Sequence, residues 1–82
     1  MDALIKLRNQ IDSVDEEIMS LLEKRFRITN EVGIYKKNNM IQVNHSNRED
    51  DILSKCVNFN YQEELKEIYL KIFEVSKNQQ RG

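Results

Sequence analysis
Apolar residues in the first part of the chain recur in alternating steps of three and four: Leu4, Leu7, Ile11, Val14, Ile18, Leu21, then position 25, Ile28, Val32 and Tyr35. That period keeps one face of an α-helix apolar throughout, and it predicts a single helix over residues 3–37. Such a helix would be roughly 50 Å long, whereas a compact globule of this chain length has a radius of gyration of only about 12 Å. Two outcomes are open. Either the helix breaks near Gly33, a residue type about 1 kcal/mol less favourable than alanine in a helix, or a second copy of the chain packs along the stripe. The second is the expected one.

Residues 38–47, NNMIQVNHSN, lose the period and read as a loop. Ser46 with Glu49 three residues later has the form of a capping box, and Ile52, Leu53, Cys56 and Val57 supply the apolar face of a second, shorter helix. The segment VNFN ends it. Asn60 is then the expected N-cap of a third helix, with Leu65, Ile68, Tyr69, Ile72 and Phe73 on one face and Ser76 and Gln80 continuing the same side. The tail after Gln80 is expected to fray. The fold class is therefore all-α, three helices with a very long first one.

Composition strengthens the case for a second copy. The 82 residues, 39% hydrophobic and 33% charged with no proline, suit one domain spanning 1–82 whose own core is marginal. Domains of this size usually add disulfides, a metal or oligomerisation. One cysteine, Cys56, and one histidine, His45, leave neither an internal disulfide nor a zinc-type ligand cluster, so oligomerisation remains. The opening MDALIKLRNQ is charged and amphipathic rather than signal-like, and no run approaches a membrane span, so no membrane partner and a cytoplasmic location are expected. Net charge is −1 with 13 basic residues interspersed among 14 acidic ones, which offers no basic face to nucleic acid.

Arg25 is the exception in the stripe. A guanidinium left unpaired on an apolar face costs several kcal/mol, so an anion should meet it: either a glutamate of another helix or a ligand. Lys36 follows eleven residues on, three turns plus about 20° and about 16 Å of rise, on the same face. Thr29 and Val32 lie between as a small floor. Two long cations over such a floor can enclose a compact acid. Ser76 and Gln80, polar intrusions on the third helix, point to one shared site. Arg8 lies about 25 Å from Arg25 and about 100° around the helix, so it would reach such a pocket only from another subunit.

The strings LRNQIDSVDEEIMSLLEKRFRITNEVGIYKK, NREDDIL and SKNQQ, in that order, resemble the all-helical (type II) class of chorismate mutases over essentially the whole chain. The pattern is an arginine early in helix one followed by Ile-Asp and Asp, a second arginine after a leucine pair, Val-Gly-x-x-Lys, an Arg-Glu pair opening helix two, and a serine and glutamine four apart in helix three. The resemblance implies an intertwined homodimer whose long first helices pair, with Arg8 donated across subunits. It also implies rearrangement of chorismate to prephenate, in phenylalanine and tyrosine biosynthesis, without cofactor, metal or covalent intermediate. In that scheme Lys36 and Gln80 address the ether oxygen, Arg25 and the partner's Arg8 bind the carboxylates, and Ser76 assists one of them. Arg48 orients substrate or neighbouring acidic groups, and Glu49 accepts from the ring hydroxyl.

Simpler roles stay open for these residues taken singly. Lys36 suits a helix C-terminus, Glu49 suits its capping box, and Ser76, Gln80 and Arg8 suit exposed helix positions. Where many members of the class carry Pro-Val-x-Asp, this chain has Gln42 and His45. The loss of proline predicts a looser loop, and His45, placed among the substrate-binding residues by the resemblance, predicts slower turnover at the low end of about pH 5 to 8 where its charging disturbs the loop. Two rivals share the pattern: an isochorismate pyruvate lyase, against which the Arg48-Glu49 pair argues, and a noncatalytic helical dimerisation module.

Overall fold
A computed structural model describes residues 2–42 and 46–81. The elements are α1 (Asp2–Asn38), α2 (Ser46–Lys55), a 3-10 turn (Cys56–Asn58) and α3 (Gln62–Arg81), with no strand among the described residues. The all-α expectation holds. No helix among the described residues is long and apolar enough to cross a membrane.

α1 runs unbroken through Gly33, which is buried. A Cβ there would meet Gln80 of α3, so the glycine serves close helix approach and not a kink. α1 ends at a left-handed cap: Met40 has φ 55, its N–H reaches Lys37 O at 3.3 Å, and the Ile41 N–H donates to Lys36 O at 2.8 Å. These bonds satisfy carbonyls that the last turn leaves without helical partners. At 1.5 Å per residue such a helix is about 55 Å long, and it accounts for the longest dimension of the molecule, 57 Å. The radius of gyration is 16.1 Å, well above the roughly 12 Å of a compact chain of this length.

The core is small. Cys56, Ile72 and Phe73 are its buried apolar residues, with Ser76 buried beside them. α3 packs on α1, and the 3-10 turn brings α2 back onto α3. Leu4, Leu7, Ile11, Val14 and Ile18, by contrast, stand between 46% and 56% exposed along the free half of α1. The stripe that the period marks as apolar is therefore present and, within one chain, largely uncovered.

Four local expectations change. The helix tightens to 3-10 geometry at Cys56, which rotates Val57 out to solvent while Cys56 stays buried. α3 begins at Gln62, and Tyr61 O accepts its first backbone bond from Leu65 N at 3.0 Å, so Asn60 is a turn residue and not the cap. Ile68 is exposed, leaving Leu65, Tyr69, Ile72 and Phe73 as the inward side of α3. Helical structure persists through Arg81, one residue beyond the expected onset of fraying.

Candidate active site
Among the described residues, α1 and α2 both pack against other elements but not against each other. Between them, with α3 as the third wall, lies a cavity of about 440 Å³. Its α1 wall is Arg25, Ile28, Thr29, Val32 and Lys36, positions on successive turns of one helix face. α2 contributes Arg48, Glu49 and Ile52 from its first two turns, and α3 contributes Phe73, Ser76, Lys77 and Gln80. Six expected site residues, Arg25, Lys36, Arg48, Glu49, Ser76 and Gln80, thus converge on one space. Arg8 does not: it is exposed on the projecting part of α1, about 25 Å along the helix from Arg25. His45 lies outside the described residues, as does the side chain of Ser46.

Arg25 shows how an ion is held in a largely apolar wall. Its Nη1 donates to Ser76 Oγ at 3.1 Å, and its Cζ lies 5.9 Å from the centroid of the Phe73 ring. Cation–π attraction of this kind offsets part of the desolvation. Phe73 is itself fixed against Tyr69, with ring centroids 5.9 Å apart. No carboxylate among the described residues pairs with Arg25, which removes the interhelical glutamate as its explanation. Burial pushes the pKa of its guanidinium down, nearby Tyr69 opposes that, and the like charge of Arg48 adds to it. An arginine remains cationic regardless, so the site carries a charge that a bound anion would relieve.

The register between α1 and α3 is set by a residue that sequence reasoning missed. Gln79 Nε2 donates to Phe26 O at 2.8 Å, and the Thr29 hydroxyl donates to Gln79 Oε1 at 2.7 Å. This bridge, next to the Gly33–Gln80 contact, holds Gln80 at the end of the cavity. Lys77 was missed as well. Its Nζ lies 3.0 Å from Glu49 Oε2 and ties α3 to α2. A signal existed, since Lys77 precedes Gln80 by three residues and shares its face, but a helical lysine is by default a solvated one.

The cavity is therefore lined by four cations, Arg25, Lys36, Arg48 and Lys77, against one carboxylate, Glu49. Its volume is in the range of small-molecule sites. Cationic and hydrogen-bonding side chains from three helices thus face one cavity. Among the described residues, no three or more His, Cys, Asp or Glu side chains gather as a metal site would need.

The family model for chorismate mutase type II matches residues 7–81, and the chain belongs to that family. It is 33% identical over 73 residues to the bifunctional chorismate mutase/prephenate dehydratase of Aquifex aeolicus, an alignment covering 89% of this chain and 19% of that protein. The chain thus spans about a fifth of the length of that curated relative. No solved structure matches it significantly.

Proposed function
We propose that the protein is a chorismate mutase that converts chorismate to prephenate, and that it does so as a homodimer. The observation that carries this reading is the convergence of Arg25, Lys36, Arg48, Glu49, Ser76 and Gln80 on one cation-rich cavity in a chain of this family. In the reaction a carbon–carbon bond forms as a carbon–oxygen bond breaks, so no proton has to be moved and no group leaves. What a protein can supply is conformer selection and charge stabilisation. Cations holding both carboxylates select the folded substrate in which the reacting carbons approach, the proximity contribution. Arg25, steadied by Ser76, and the partner's Arg8 serve that role, with Arg48 orienting the substrate, because a guanidinium fork matches a carboxylate in a way a lysine does not. Lys36 and Gln80 donate to the ether oxygen, where negative charge grows in the transition state. By analogy with oxyanion-hole donors, each is worth about 3–4 kcal/mol. Glu49 accepts from the ring hydroxyl.

The bare stripe of α1 supports the dimer, since Leu4 through Ile18 find no cover within one chain. A partner α1 laid along it would carry Arg8 toward the other protomer's cavity and complete the carboxylate receptor. A cytoplasmic setting belongs to the same reading, as the free, buried thiol of Cys56 suits a reducing compartment.

The test is loss of chorismate with purified protein, wild type beside Lys36→Ala, followed by identification of the product. Prephenate from wild type alone supports the assignment. No conversion by folded protein refutes it, and pyruvate release from isochorismate would assign the lyase reaction instead.

A further inference from the structure
The family resemblance gives no role to Lys77, yet that side chain sits in the cavity wall. Its Nζ is 3.0 Å from Glu49 Oε2, with the two side chains only 32% and 18% exposed. Glu74, the nearest competing carboxylate on the same helix, is taken by Lys71 at 3.0 Å. Glu49 has a competing partner of its own type as well, since a glutamate three residues into a helix can turn back to the N-terminal backbone. Pairing with Lys77 instead directs it toward α3. Glu49, Phe73 and Lys77 also line a second cavity, of about 240 Å³, so the pair forms part of the partition between the two spaces and is not a loose surface contact.

We propose that Lys77 is a positioning residue for the substrate: it neutralises Glu49 and holds that carboxylate in the cavity wall, so a dianionic ligand meets a hydrogen-bond acceptor without meeting a net negative charge. This inference rests on the function proposed above. Among the described residues Glu49 is the one anion lining the cavity, and like charges at close range in a partly desolvated site repel strongly. Lys77 is the cation paired with it at contact distance, so the acceptor faces the dianion with its own charge balanced locally.

The experiment measures KM and kcat for chorismate in the full chain as wild type, K77M, K77R, E49Q and K77M/E49Q, with thermal melts to verify folding. K77M is expected to raise KM about tenfold, between the small effect of an exposed ion pair and the larger one of a buried pair, while K77R stays near wild type. The decisive comparison is one of sign. E49Q raises KM in the wild-type background, because the charged acceptor is lost, but lowers KM in the K77M background, because the unbalanced charge is lost. Should K77M fail to fold, K77Q with and without E49Q reads the same sign. A purely structural brace would show no reversal. A KM for K77M within twofold of wild type, or a double variant as poor as K77M, overturns the inference while wild-type turnover leaves the function standing. Absence of wild-type turnover overturns both.

Discussion
Gly33→Ala would place a methyl carbon 3.0 Å from Gln80 Cγ and 3.2 Å from both Gln80 Cα and Cβ. Comfortable carbon contacts are about 3.5–4.0 Å, so relief requires a movement of roughly 0.3–0.8 Å. Gln80 Cγ can swing aside, but Cα belongs to the backbone and moves only with α3. Helix propensity alone predicts that alanine stabilises by about 1 kcal/mol. Overpacking a close contact costs about 1–3 kcal/mol, and since this contact is with backbone the second effect wins. The expected net loss of up to about 2 kcal/mol lowers Tm by as much as roughly 8–16 °C for a domain of this size. Catalysis should suffer separately. A 1 Å misplacement can cost about a hundredfold, so a shift of half that at Gln80 predicts a kcat lower by about tenfold, with KM little changed because Arg25 and Arg48 are not part of the contact. Melting at fixed protomer concentration and chorismate turnover read the two effects. A variant with raised Tm and unaltered kcat would refute the claim that Gly33 positions Gln80.

Three further outcomes follow from the geometry. Arg25→Met removes a desolvated charge with no carboxylate partner, so the ligand-free Tm should hold or rise, while stabilisation by added prephenate disappears; a clear fall in ligand-free Tm would show that the Ser76 and Phe73 contacts outweigh the desolvation. Met40→Gly relieves a side chain held at φ 55 and should stabilise by about 1 kcal/mol, seen as a higher denaturant midpoint at unchanged slope; an unchanged or lower midpoint counts against the cap. Arg8→Ala and Lys36→Ala, each inactive alone, should recover up to about a quarter of wild-type activity when their subunits are mixed, because a mixed C2 dimer holds one intact site; proven mixed dimers without recovery would rule out donation of Arg8.

The long helix and the alignment of Arg25 with Lys36 were legible because both depend only on 3.6-residue arithmetic, which holds for any unbroken helix. Whether Gly33 breaks the helix was not legible locally, because its contact is with Gln80 of α3, nearly fifty residues away in the chain. The tightening at Cys56 was not legible, since one residue of altered winding turned Val57 outward without any local signal. Nor was the cap at Met40. Asn39 beside it is the better left-handed residue, yet the bonds from Met40 and Ile41 to Lys37 and Lys36 place the positive φ on the methionine. Arg25, Ser76 and Gln80 were legible because each interrupts an apolar face, whereas the site roles of Arg48 and Glu49 came with the family resemblance. Lys77 and Gln79 interrupt nothing, and their roles come from partners on other helices.

The uncovered half of α1 also has a consequence for how the protein comes into being. Forming α1 is local and fast, about a microsecond or less for helices of this order. On the dimer reading, though, a single chain has no second surface against which to finish. The last step is then a collision between two chains, and refolding should quicken in proportion to protein concentration where an ordinary domain of this size would be indifferent to it. Newly made chains at low abundance would wait as rods with Leu4 to Ile18 bare, the condition in which aggregation and proteolysis compete with assembly.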